Sequence, residues 1–182
     1  LWDVPTQFSP ACAWDDLDSE DEKCYSPVDY DGKYRGPMTV RDALAQSINI
    51  PAVEALYLSG VSDSMNLAQD MGISSLSDPD RYGLSLVLGG GEVSLLEMVS
   101  AYSVFANDGV RNAYNPILKI SDAKRQVLEE HTPSPKRVLP AEIARKISDM
   151  LCDNIARTPA YGPNSALYIQ SRPVAVKTGT TN

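Results

Sequence analysis

Two short clusters hold the residue types that acyl transfer by serine draws on. Ser47-Ile48-Asn49 sets a hydroxyl and a carboxamide two positions apart, and Lys177-Thr178-Gly179 sets an ammonium beside a hydroxyl and a side-chain-free residue. Such a reaction needs a base, a group that returns the proton to the leaving amine, and donors for the oxyanion. Other chemistries find less support. The lone histidine, His131, stands before Thr132-Pro133-Ser134-Pro135 and reads as an exposed loop residue, which removes a Ser-His-Asp or Cys-His mechanism. Cys12, Cys24 and Cys152 show no CxxC spacing and no nearby histidine, so no zinc site is expected. Cys12 and Cys24 either pair across a short loop in an oxidising compartment or remain free thiols.

The elements that must position the two clusters are punctuated clearly after residue 35. Thr39-Val40-Arg41-Asp42 reads as a capping box opening a helix that runs through Gln46. Pro51 suits the first residue of the next helix and Gly60 its stop, so Ser47-Ile48-Asn49-Ile50 falls in a tight junction between two helices. A third helix, capped by Ser62 or Asp63, reaches Met71 and stops at Gly72. Gly89-Gly90-Gly91 lacks both phosphate-cradling patterns and serves close packing. Ser94-Leu95-Leu96-Glu97 is a second capping box, and Leu95, Met98, Val99, Tyr102 and Phe105 then follow helical spacing, predicting a core-facing stripe. Residues 116–120 and 126–128 predict a β-hairpin around Ser121-Asp122-Ala123-Lys124-Arg125. A helix from about Pro140 to Ile155 should turn Ile143, Ile147, Met150 and Leu151 inward. Residues 157–171 read as loop, and Pro173-Val174-Ala175-Val176 as a strand running into Lys177-Thr178-Gly179.

Composition narrows the class. The chain has 182 residues, 43% of them hydrophobic, and a net charge of -8, which argues against a general nucleic-acid binder. Six of the eight residues from Asp15 to Glu22 are acidic, without the glycine a calcium loop requires, and read as a solvated surface loop. No apolar run is long enough to span a bilayer. With no methionine or targeting segment at Leu1, the chain reads as a piece excised from something longer.

The wording around the two clusters is more specific than the clusters themselves. Tyr25-Ser26-Pro27-Val28-Asp29-Tyr30, Gly36-Pro37, the run from Arg41 to Val53, the run from Leu86 to Val93 and the run from Ala101 to Gly109 occur together and in order. Together they closely resemble the transpeptidase domain of class A high-molecular-weight penicillin-binding proteins, over essentially the whole chain. S-x-x-K, S-D-N and K-T-G are the signature set of that group, here with Ile48 in place of the aspartate.

The resemblance implies an incomplete α+β, mostly helical serine D,D-peptidase fold: a helical subdomain, a short hairpin and the K-T-G strand. It implies a bacterial, extracytoplasmic peptidoglycan D,D-transpeptidase that binds penicillin and needs no metal or other cofactor. Its partners would be peptidoglycan stem peptides and β-lactam antibiotics, with membrane contact only through an anchor segment absent from these residues. Ser47 would relay a proton between the lysine of the first motif and the leaving nitrogen. Asn49 would hydrogen-bond the donor peptide's amide and help orient that lysine. Lys177 would polarise Ser47 and attract the terminal carboxylate of a D-Ala-D-Ala stem. The hydroxyls of Thr178 and Thr180 would bind that carboxylate, beside Thr181. The N–H of Thr180 would face the oxyanion, and Gly179 would let an extended substrate lie against the strand edge.

One departure is large. Nothing before Ser47 fits S-x-x-K, and the single match, Ser121-Asp122-Ala123-Lys124, falls on the expected hairpin turn. The domain is therefore expected to lack its first motif before residue 1 and its later strands after residue 182, and this chain alone to be inactive. A non-catalytic peptidoglycan- or β-lactam-binding module is the alternative.

Overall fold

The computed structural model describes residues 1–179; Thr180 and Thr181, given substrate roles above, lie outside the described residues. In chain order the elements are β1 (Trp2–Asp3), β2 (Gly36–Pro37), α1 (Val40–Gln46), α2 (Asn49–Ser59), α3 (Val61–Met71), α4 (Leu95–Ala106), β3 (Val110–Arg111), β4 (Lys119–Ser121), β5 (Val127–Glu130), β6 (Lys136–Arg137), α5 (Ala141–Cys152) and α6 (Asn154–Tyr161). About 38% of the chain is helical and the strands are short, an α+β composition. Two compact units form. The first comprises Leu1–Ser64, Asp78–Gly91 and the chain from Asp149 onward; the second comprises Met65–Ser77 and Glu92–Ser148.

In the first unit β1 pairs antiparallel with β2, Trp2 opposite Pro37. Thr39 caps α1: its hydroxyl accepts from Asp42 N at 3.1 Å and donates to Asp42 Oδ2 at 2.6 Å. Helix α2 starts at Asn49, two residues ahead of the expected Pro51, because Ile48 is the extended N-cap residue. Ala43, Ala45, Ile48, Ile50, Val53, Leu56, Leu151 and Ala156 are buried here. The 3-10 segment Leu84–Leu88 ends in glycines, and a Cβ on Gly90 would crowd Ser85 O at 3.0 Å, so close packing is its role.

The stretch 157–171 is not loop throughout. Asp153 ends α5 and caps α6, Oδ1 accepting from Ala156 N at 2.9 Å, so one expected helix is two. Pro159 lies within α6, where its missing N–H concealed the helix in the sequence. Residues 173–179 form no ladder with any described strand. Val176 N donates to Leu151 O at 3.2 Å, which fastens this extended segment to the end of α5 instead. A β-branched run predicts extension, whereas a strand also requires a neighbour to pair with. Cys12 and Cys24 form a disulfide, and Cys152 is free. The acidic residues from Asp15 to Glu22 lie at the surface.

The second unit carries the full capping box of α4. Glu97 N donates to Ser94 Oγ and Ser94 N to Glu97 Oε2, both at 3.3 Å. The stripe on that helix is not core, however. Leu95 is 80% exposed and Met98, Val99 and Tyr102 are exposed too, while Ala101 and Val104 face inward. Ile143 of α5 is likewise exposed, and Ala144 takes its interior place. Gly109 turns with φ +83°, and a Cβ there would collide with the Leu139 carbonyl, so only glycine fits. The expected hairpin forms, with β4 opposite β5 and Lys119 across from Glu130. His131 is half-buried rather than exposed, its Nδ1 bonded to Asn115 Nδ2 at 2.7 Å.

Candidate functional site

Ser47 is delivered by the end of α1. It occupies the left-handed region at φ 60°, ψ 45°, and its N–H turns back to Ala43 and Leu44 carbonyls, so the helix stops and the hydroxyl leaves its axis. Ile48, buried, anchors the two-residue link, and Asn49 opens α2. The junction is bolted from outside as well. Asp29 Oδ1 accepts from Asn49 N at 2.8 Å and Ile50 N at 3.2 Å, capping α2 from twenty residues upstream, and Asn49 Nδ2 donates to Val28 O at 2.9 Å. A carboxylate at a helix N-terminus satisfies orphan N–H groups and meets the positive end of the helix dipole.

Lys177 approaches from the other end of the sequence. Its Nζ donates to Ser47 Oγ at 2.6 Å and to Thr178 O at 2.8 Å. Desolvation at this spot lowers the ammonium's pKa from its ordinary value. Two supports hold the segment. Leu151 O accepts from Val176 N and from the buried guanidinium of Arg157, and Thr178 Oγ1 is hydrogen-bonded to Tyr161 OH at 2.8 Å. Arg41 then ties α1 to these helices through Asp149 at 2.5 Å and Asp153 at 3.0 Å. One framework therefore carries both Ser47 and Lys177.

The sequence-derived residues thus divide. Ser47, Asn49, Lys177, Thr178 and Gly179 lie in the first unit, with Ser47 and Lys177 in direct contact. Asn49 Nδ2 donates to Val28 O, and the space where a Gly179 Cβ would stand is open. Ser121 ends β4 and Lys124 lies in the β4–β5 turn, where Asp122 Oδ1 accepts from Lys124 N and Gln126 N at 2.8 Å; no helix aligns them. Asp29 and Tyr161 escaped notice: Asp29 lay in the recognised run from Tyr25 to Tyr30 without a role, and Tyr161 lay in a stretch taken as loop. Among the described residues no group of three or more His, Cys, Asp and Glu could hold a metal ion, and no helix is long and apolar enough to cross a membrane.

The arrangement suits proton transfer between an ammonium and a hydroxyl at an open edge. Comparison with known proteins gives it a family context. The description "Penicillin binding protein transpeptidase domain" matches residues 13–182. Penicillin-binding protein 1A of Aquifex aeolicus (strain VF5) is 37% identical over 156 residues, covering 86% of this chain and 20% of its own. Penicillin-binding protein 1A/1B of Bacillus subtilis (strain 168) is 32% identical over 179 residues, 93% of this chain and 19% of its own. The crystal structure of penicillin-binding protein 1A from Haemophilus influenzae aligns with a TM-score of 0.69 at 26% identity, over 86% of this chain and 26% of that one. The chain spans about a fifth of the length of the curated relatives it matches.

Proposed function

We propose, on the premise that this chain belongs to the penicillin-binding protein transpeptidase domain family, that it supplies the Ser-x-Asn and Lys-Thr-Gly sides of a serine D,D-transpeptidase site. The substrate class is peptidoglycan stem peptides ending in D-Ala-D-Ala, and β-lactams occupy the same site. The observation that carries this is the 2.6 Å hydrogen bond from Lys177 Nζ to Ser47 Oγ.

In this reading a serine oxygen attacks the carbonyl of the penultimate residue, the C–N bond to the terminal D-Ala breaks, and the departing nitrogen takes a proton through Ser47. A second stem peptide's amine then accepts the acyl group. Lys177, its pKa lowered by desolvation, holds its proton less tightly beside Ser47 and presents positive charge to the substrate's terminal carboxylate. Asn49 holds the donor amide, Thr178 and Thr180 the carboxylate, and Gly179 leaves the edge clear. The proposal assigns the acylating serine to an S-x-x-K segment that these 182 residues do not contain before Ser47. The Cys12–Cys24 disulfide supports an extracytoplasmic setting.

The test is fluorescent penicillin labelling of the whole product of the reading frame that encodes this chain. A covalent adduct, slowed by a D-Ala-D-Ala peptide, is expected. Saturable binding with no adduct would replace the enzyme with a binding module, and no binding at all would overturn both.

A further inference from the structure

Among the described residues Asp3 and Asp29 are the buried acids of the first unit, at 0% and 2% exposure; both face the Arg35 guanidinium, and Asp29 also caps the start of α2 beside Ser47. Burying two carboxylates together is costly unless their charge is neutralised or shared. Arg35 compensates in part. Its backbone N–H donates to Asp3 Oδ2 at 2.8 Å, and its Nη1 stands 3.4 Å from Asp3 Oδ2 and 3.6 Å from Asp29 Oδ2. Its Nη2 is committed to Asp31 at 2.8 Å, so one guanidinium serves three acids. Two oxygens remain buried without a hydrogen-bond partner of their own, Asp3 Oδ1 and Asp29 Oδ2. The other oxygen of Asp29, Oδ1, is the cap that holds Asn49 N and Ile50 N.

We propose that Asp3 and Asp29 share one proton, donated from Asp29 Oδ2 to Asp3 Oδ1, and that this pair is a positioning device for Ser47-x-Asn49. The inference rests on the transpeptidase reading only in giving that junction a catalytic purpose. The shared proton satisfies both orphaned oxygens and leaves the pair with one negative charge against Arg35. It also fixes the plane of the Asp29 carboxyl, and so the direction from which Oδ1 holds the start of α2. The groups facing Asp29 are Asp3 from β1, Arg35 from the residue before β2, Tyr30 beside it, and the N–H groups of α2. Burial first, and then the hydrogen bond with Asp3, raise the Asp29 pKa to about 6 against the lowering effect of the Ile50 and Asn49 N–H groups. Loss of the proton sets two buried carboxylates against each other, and the turn that holds Asn49 must shift.

NMR on the isotopically labelled chain tests this without substrate or antibiotic, so the absence of a penicillin adduct on the whole product of the reading frame would sink the proposed function and leave this result untouched. The backbone amides of Asn49 and Ile50 and the side-chain amide of Asn49 should titrate together, with a midpoint near the Asp29 value of about 6. Asp3→Asn should move that midpoint down by roughly one pH unit or more. Asp29→Asn, which keeps the Oδ1 acceptor and offers a permanent donor to Asp3, should hold the wild-type low-pH shifts throughout. The wild type and Asp3→Asn suffice should that variant not fold. Flat Asn49 side-chain shifts, or a midpoint unmoved by Asp3→Asn, would overturn the proposal.

Discussion

Lys177 and Ser47 stand 130 positions apart in sequence, and the ammonium of one donates to the hydroxyl of the other at 2.6 Å. Neither side chain reaches the contact by its own element alone. Ser47 is turned out by the left-handed end of α1, and Lys177 is carried by an extended segment tied to Leu151 O. Arg41, reaching Asp149 and Asp153, connects the two supports.

Burial leaves the Lys177 ammonium, which donates to Ser47 Oγ and Thr178 O, partly desolvated, so its pKa is lowered. After reductive methylation with labelled carbon, one lysine resonance should titrate below the ordinary lysine range, and that resonance should be absent from Lys177→Arg. All lysines titrating together at the ordinary value would contradict it.

The disulfide closes a short loop, Cys12 and Cys24 being 12 positions apart. Thiol titration of the unreduced, denatured chain should find one free group, from Cys152. In the chain-entropy picture reduction should cost about 3 kcal/mol. Three free thiols would reject the bridge.

Glu97 receives hydrogen bonds from the side chain and backbone of Ser74 and from Ser94, which hold its pKa down at about 2. A depressed folded value contributes stability above the unfolded carboxylate range that is lost as pH falls toward 2. Glu97→Gln should therefore be less stable than wild type at neutral pH, with the two converging near pH 2. Parallel melting curves across that window would contradict this.

Caps at Thr39 and Ser94 were legible because a cap is a local hydrogen bond between residues three apart. The apolar face of α4 was legible as a face, but periodicity carries no information about what covers it, and Leu95, Met98, Val99 and Tyr102 stand exposed. Helix α6 was hidden by Pro159 and by Asp153, whose capping role looked like the tail of the preceding helix. Ser47, Asn49 and Lys177 stood out by residue type and context. Asp29 did not, because its function depends on a contact with α2 that no local pattern encodes.

Acylation requires a serine oxygen activated by a nearby lysine, and Ser121 and Lys124 sit at a turn rather than on one helix face. The chain from Leu1 to Asn182 should form no covalent penicillin adduct in intact mass spectrometry. A stoichiometric mass increase on Ser47 or Ser121 would show the nucleophile to be misassigned.

The central claim is that the Lys177–Ser47 contact belongs to acylating machinery, and stopped-flow acylation by penicillin measures it most directly. In the whole product of the reading frame, Lys177→Ala should slow acylation by roughly 100-fold or more, the loss expected for a transition-state electrostatic group. Lys124→Ala, on the β4–β5 turn, should leave the rate unchanged. An acylation rate unaffected by Lys177→Ala would contradict the account.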